Sequence, residues 1–175
     1  MKNYTIINPG PLGELLIYAT DAHVTGIYFV NQKYYPTIGD GWVKNTAHPV
    51  LELAAAELKD YFAGKLQRFS TPFHFEGTAF QHQVWEQIAA VPFGETITYG
   101  ELAQRVGSPS AVRAAGAATG RNPISIIVPC HRIVGVSGTL VGYAGGLDRK
   151  RQLLAMERGE MELGGNFTTP LARHP

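Results

Sequence analysis

Two capping boxes constrain this chain most. Thr78 is followed three residues later by Gln81, and Thr98 by Glu101. In such a box the threonine hydroxyl satisfies a free N–H of the first helical turn, and the Gln or Glu side chain reaches back to the threonine N–H. Each box therefore fixes the start of a helix. The first opens a stretch in which Phe80, Val84, Trp85 and Ile88 share one face, until VPFGET (91–96) breaks it. The second opens a short helix that Gly107 ends. Ser108 followed by Pro109 then reads as the cap and first position of a third helix, Pro109–Thr119. Two short helices joined by a tight glycine-containing turn fit a helix-turn-helix unit. A last helix, capped by Asp148 and stopped by Gly159, turns Leu153 and Leu154 inward.

Ahead of the first box the pattern differs. GELLIYAT (13–20) and VTGIYFV (24–30) are rich in β-branched and aromatic residues, and the link carrying Asp21 reads as a hairpin turn. Residues 31–47 are polar and irregular. From His48 to Ala63 a helical pattern places Leu51, Ala55, Leu58 and Phe62 on one face, with Gly64 as the stop. Residues 67–76 read as an extended connection. The expected class is α+β: a small α/β domain with its linker over 1–76, a mostly helical domain over 77–160, and a tail over 161–175 without a readable signal.

Composition removes several function classes. The 175 residues include one cysteine, so neither an intramolecular disulfide nor a multi-cysteine zinc site can form. The histidines at 23, 48, 74, 82, 131 and 174 lack metal-type spacing, and no metal is expected. No apolar run approaches the ~20 residues that cross a bilayer. The start, MKNYTIINPG, has no basic region followed by an apolar stretch, so a cytoplasmic protein without a membrane partner is expected. Net charge is −1 over residues 1–76 and +2 over 77–160, where seven of the eight cations are arginine. Any phosphate-contacting surface belongs to the second half, with moderate, salt-sensitive DNA affinity.

Within that half, Pro109–Thr119 carries almost only small side chains apart from Val112 and Arg113. Such a helix can be buried against close neighbours. It can also approach a groove wall and project one long cation into the space left by an everted base. Further on, Ile124–Val128 reads as a buried strand that Pro129 ends, delivering Cys130 at a turn. A lone cysteine is ordinarily an inert core residue. Here His131 and Arg132 supply cationic or polarisable neighbours that favour thiolate. Neighbours on extended chain point opposite ways, so His131 need not touch the sulfur and a water can bridge them. The glycines at 142, 145 and 146 match no nucleotide motif and fit a turn that lets backbone approach a flat base. Plainer readings also stand: Tyr99 packing beneath its helix, Arg113 as a solvated charge, Asn122 as a turn residue before Pro123, and Glu157 paired with Arg151 or Arg158.

IVPCHRIVG resembles the active-site signature of the O6-alkylguanine-DNA alkyltransferases (methylated-DNA–protein-cysteine methyltransferases). The likeness extends through FQHQVWEQIAAVPFGETITYGELAQRVG, AVRAAGAATGRNPISIIVPCHR and GYAGGLDRKRQLLAMERG, in order, over residues 79–159. Tyr99, Arg113, Asn122, Tyr143 and Glu157 fall in register, and PLGELLIYAT fits the family's less specific first domain.

The resemblance implies a ribonuclease-H-like first domain and a winged helix-turn-helix-like second one. It implies Cys130 as alkyl acceptor, His131 as base through a water, Glu157 orienting His131, and Asn122 fixing the turn that carries Cys130. Tyr99 would donate to guanine N3 and crowd the target phosphate. Arg113 would fill the vacated stack, on a DNA-facing surface with Ala111, Ala114 and Gly116. Tyr143, Ala144, Gly145, Ile133 and Lys150 would form the base pocket, with backbone N–H near Ala144 meeting O6 and carbonyls of Cys130 and Ile133 accepting from the base's amino group. Serine is common in the family where Ala144 stands. The implied partner is double-stranded DNA carrying O6-alkylguanine, with O4-alkylthymine as a second substrate. The protein would be a monomer, with cooperativity on DNA left open.

The chemistry fits those roles. Lowering a thiol pKa from ~8.5 to ~7 contributes on the order of 1.4 kcal/mol, whereas holding the reacting atoms in line contributes roughly 7–11 kcal/mol. Positioning should dominate, and O6 inside a duplex cannot be reached at the needed angle, so the base must flip out. The product thioether has no good leaving group and the chain has no second cysteine, so one turnover per molecule is expected. No cofactor is needed, because the substrate is the alkyl donor. A damage-binding relative would lack the cysteine, a thiol hydrolase would leave the helix-turn-helix unexplained, and a transcription factor would need polar base-reading residues.

Overall fold

The computed structural model describes residues 1–160; the tail expected over 161–175 lies outside them. The N-terminal half is a four-stranded sheet with a helix packed on it. Strands β1 (Lys2–Ile7), β2 (Leu15–Thr20), β3 (His23–Phe29) and β4 (Trp42–Lys44) lie in the order β3-β2-β1-β4. The first three are antiparallel neighbours, with Thr5 opposite Ile17 and Ile17 opposite Ile27, while β4 runs parallel to β1. The central strand β2 is buried on both faces. Leu15, Ile17 and Ala19 join Leu51, Ala54, Leu58 and Phe62 of α1 (Pro49–Phe62) in the core. On the other face Tyr18 stacks on Tyr28 and takes the edge of Trp42. Gly26 is required there, since a Cβ at that position would fall 2.1 Å from the Tyr18 ring.

Two strands, β1 and β4, were not expected from sequence. β1 buries only Thr5, so its hydrophobic alternation is faint. β4 is three residues long and exists through its pairing with β1. In α1 the buried face uses Ala54 and Tyr61, and Ala55 is half-buried. Gly64 ends that helix in the left-handed region. The connection that follows is tied down at two points. The Glu57 carboxylate accepts from the backbone N–H groups of Ser70 and Thr71, and residues 72–74 bond to Val24 at the edge of the sheet.

The C-terminal half holds α2 (Ala79–Ala89), α3 (Tyr99–Arg105), α4 (Val112–Gly120) and α5 (Leu147–Glu157), with a two-stranded parallel pair, β5 (Ile97–Thr98) and β6 (Ile133–Val134). Both capping boxes form with both reciprocal bonds. The third helix departs from expectation. Ser108–Ala111 is a turn closed by the Ala111 N–H on the Ser108 carbonyl, Pro109 lies inside it, and α4 begins at Val112 with no side-chain cap. The Ser108 N–H is itself spent on the Ala103 carbonyl in ending α3, so the residue belongs to the reversal between the helices. In α5 Asp148 sits within the first turn, paired with Arg151, and Gly146 occupies the cap.

Ile124–Val128 is not a regular strand. Pro123 and Ser125 bond to both sides of Ile27, adding the segment to the free edge of β3. The chain then folds back at Ile126, which has φ of 72°, so that the Val128 N–H reaches the Ile124 carbonyl. Apolar content marked burial there, while the N–H and carbonyl of Ile27, open on the edge of β3, and the left-handed residue set the shape. This segment joins the two halves through one continuous core. Among the described residues no helix is long and apolar enough to cross a membrane.

Candidate active site

Cys130 opens a single 3-10 turn, Cys130–Arg132, directly after Pro129. Asn122, itself buried, fixes the approach. Its amide nitrogen donates to the Val128 carbonyl at 2.8 Å, and its oxygen accepts the Ile124 N–H at 3.0 Å. Cys130 lines a cavity of about 340 Å³, walled also by Tyr99 of α3, Gly116 and Thr119 of α4, and Gly142, Tyr143 and Ala144 of the glycine-rich loop. Lys33 and Tyr34 from the N-terminal half complete the wall. A larger cavity of about 450 Å³, lined by Phe69, Phe73, Pro92 and Phe93, contains no nucleophile, so the chemistry belongs to the smaller one.

Behind Cys130 lies a buried polar network. His131 is inaccessible, and its Nε2 lies 2.6 Å from Glu157 Oε1. A carboxylate only accepts, so Nε2 carries the proton and Nδ1 of the neutral ring is an acceptor. No protein group among the described residues bonds that Nδ1. Arg132 donates to Glu157 from both Nε and Nη2 at 2.8 Å, and from Nη1 to the Val91 carbonyl. Tyr61 of α1 donates its hydroxyl to Glu157 Oε1 at 2.7 Å. Glu157 therefore pairs with Arg132, while Arg151 is taken by Asp148. Burial pushes the Glu157 carboxyl up, but His131 and Arg132 outweigh it and hold the group well below the usual carboxylate range. Burial pushes His131 down, against the pull of Glu157, and so keeps it neutral.

The thiol is governed differently from the sequence expectation. Burial pushes Cys130 up; the Asn122 amide and the Lys150 charge pull it down without fully compensating. Arg132 is committed to Glu157 and His131 is neutral, so the cation acting on the sulfur is Lys150. That ammonium is buried among the carbonyls of Ile133, Val141 and Gly142 at 2.6–3.3 Å, and burial lowers its pKa to about 8.

Of the expected base pocket, Ile133, Gly145 and Lys150 are buried and are not among the residues lining this cavity, and the Ile133 carbonyl accepts from Lys150. Tyr143 and Ala144 do line the cavity. Gly145 is forced by close packing, since a Cβ there would meet Tyr143 at 2.7 Å and Phe29 of β3 at 3.0 Å. The Tyr99 hydroxyl donates to the Val141 carbonyl at 2.9 Å. On α4, Ala115, Ala118 and Thr119 are buried, and the Trp85 indole donates to the Ala118 carbonyl. Arg113 and Ala114 are exposed, with Ala111 and Gly116 partly so. The small residues thus serve two surfaces: one packs against α2 and α3, and the other presents Arg113 to solvent.

Comparison with known proteins agrees with this geometry. Residues 3–75 match the family model described as the ribonuclease-like domain of 6-O-methylguanine DNA methyltransferase, and residues 79–159 match the model of its DNA binding domain. The chain belongs to the 6-O-methylguanine DNA methyltransferase family. A methylated-DNA–protein-cysteine methyltransferase of Mycolicibacterium paratuberculosis is 45% identical over 148 residues, covering 85% of this chain and 88% of the relative. One from Haemophilus influenzae is 44% identical over 156 residues, covering 89% and 86%. The crystal structure of Mycobacterium tuberculosis OGT in complex with DNA superposes with a TM-score of 0.82 at 40% identity, covering 90% of this chain and 93% of that one. Membership of the methyltransferase family fits the α+β division into a sheet domain and a helical domain. Tyr61, Lys33 and Tyr34 had no sequence signal for a place at this methyltransferase site, because they reach it only through the packing of the two halves.

Proposed function

We propose that this chain is a DNA repair protein that transfers the alkyl group of O6-alkylguanine irreversibly onto Cys130, once per molecule. The observation that carries this reading is a nucleophile at the wall of a cavity, backed on the protein side by a His131–Glu157 pair whose free Nδ1 can accept a proton.

In the reaction the thiol proton passes through a water to His131 Nδ1, and the sulfur attacks the alkyl carbon in line with the C–O6 bond. That bond's electron pair leaves on guanine, which takes up one proton, so the overall change is thiol plus alkylguanine to thioether plus guanine. Glu157 fixes the imidazole tautomer and stabilises its protonated form. Lys150 steadies the thiolate. The Tyr99 hydroxyl, now donating to Val141, is a donor at the mouth that a base acceptor can take over, and donors placed where charge develops lower the barrier. Arg113, exposed on α4, fills the stack left by the everted nucleotide. Action as a monomer is part of this proposal. Cytoplasmic residence suits a chain that acts on DNA.

The test is direct. Incubated with a duplex bearing O6-methylguanine, the protein should gain the mass of one methyl group, mapped to Cys130, and stop after one equivalent. Cys130→Ser should bind the lesion duplex without repairing it. An unmodified protein with the lesion intact would remove the proposal.

A further inference from the structure

Residues 31–35 follow β3 as a turn of polar sequence, yet they reach the cavity that holds Cys130. Lys33 and Tyr34 form its wall on the side of Ala144. The segment is built rather than loose. Gln32 is buried; its Oε1 accepts the Phe29 N–H at 2.8 Å and its Nε2 donates to the Lys33 carbonyl at 3.1 Å. The Lys33 N–H donates to the Ala144 carbonyl at 3.1 Å, joining the turn to the glycine-rich loop. Tyr34 itself has φ of 63°, in a region that bulky residues seldom occupy. Its ring lies 3.7 Å from the Arg121 guanidinium, and the Lys33 ammonium is 5.0 Å from the same ring. Arg121 directly precedes Asn122, so the ring rests on the segment that carries Cys130.

An aromatic side chain on a strained backbone, with two cations close to its ring at a pocket wall, is a costly way to make ordinary surface. We propose that Tyr34 is a specificity-determining residue: it closes the Ala144 side of the base pocket and limits the size of the O6 substituent that can reach Cys130. The inference rests on the alkyl-transfer reading. A methyl group extends one carbon beyond O6. A benzyl group adds a ring that must find room in a cavity of about 340 Å³, at the small end of the ~300–1,000 Å³ seen for small-molecule sites. In this assignment, room on the side of Lys33 and Tyr34 opens when the Tyr34 ring leaves Arg121.

The experiment compares rates of Cys130 adduct formation, by intact mass, on duplexes bearing O6-methylguanine and O6-benzylguanine, for the wild type, Tyr34→Ala and Tyr34→Phe. Tyr34→Ala should raise the benzyl-to-methyl rate ratio by about tenfold or more, the discrimination a pocket wall of this kind can supply. Tyr34→Phe keeps the ring and should keep the wild-type ratio. A ratio unchanged in Tyr34→Ala while methyl transfer persists, or an equal fall in both rates, overturns the assignment and leaves alkyl transfer standing. A wild type that forms no methyl adduct overturns the alkyl-transfer reading and this inference with it.

Discussion

Replacing Glu157 with glutamine keeps the side-chain shape and removes the charge on which three side chains converge. Glu157 Oε1 receives Tyr61, His131 and one Arg132 nitrogen; Oε2 receives the other. In its better orientation a glutamine oxygen keeps the first three donors, but the amide NH2 then faces Arg132 Nε donor to donor. The guanidinium, only 7% exposed, loses its counter-charge and the bond to Nε, and keeps the glutamine oxygen and the Val91 carbonyl as neutral acceptors. Breaking one side of a buried pair in this way costs about 3–5 kcal/mol, a large part of the ~5–15 kcal/mol that holds a typical domain folded. Urea unfolding of both proteins across pH should show that gap. The Glu157 carboxyl titrates lower in the folded state than in the unfolded chain, so its contribution is complete above about pH 4.3 and is lost as pH falls through the folded value. The gap between the proteins should therefore not narrow from pH 8 to 5, and should close only in stronger acid. Alkyl transfer should fall on the order of 100-fold, as the base keeps its tautomer but loses the charge that stabilises its protonated form. A gap below about 1 kcal/mol, the size of a surface pair, or one that already narrows between pH 8 and 6, would refute the reasoning.

Three further outcomes follow from the same geometry. Because burial keeps the Cys130 thiol high and Lys150 opposes it, wild-type transfer should speed up as pH rises through neutrality; Lys150→Met should be about tenfold slower at pH 7, equivalent to one unit of thiol pKa, and recover in alkali, whereas parallel pH profiles would deny Lys150 a role at the sulfur. Gly26→Ala should lose about 1–3 kcal/mol of stability by overpacking against Tyr18, and an unchanged melting temperature would contradict that contact. Arg113→Ala, on an exposed position, should leave stability within about 0.5 kcal/mol and slow repair of duplex lesions while sparing transfer from free O6-benzylguanine; equal loss on both substrates would place Arg113 in the pocket instead of the DNA surface.

Local chemistry was legible where it is enforced by neighbours in sequence. The capping boxes at Thr78 and Thr98 and the stops at Gly64, Gly107 and Gly159 follow from hydrogen bonds and backbone sterics spanning a few residues, and the helices start and end where those signals stand. The motif around Cys130 likewise lies beside the cavity, because Asn122, Pro129, Cys130 and His131 are held together within one short segment. Ser108 and Asp148 misled for the same reason: a capping residue type is only an offer, and Ser108 ends up at the start of the turn before α4 while the Asp148 carboxylate pairs with Arg151.

The sequence by itself determined which segments become helices, which residue carries the reactive sulfur, and the α+β class, since each depends on interactions of short range. Only the tertiary structure decided that Ile124–Val128 folds back along the free edge of β3, that Glu157 binds Arg132 and Tyr61, that Lys150 and not His131 is the cation acting on the thiol, and that Lys33 and Tyr34 wall the cavity. Those outcomes depend on where desolvation is greatest and which donors are left unpaired once two halves of the chain close on each other, and no periodicity within either half records that.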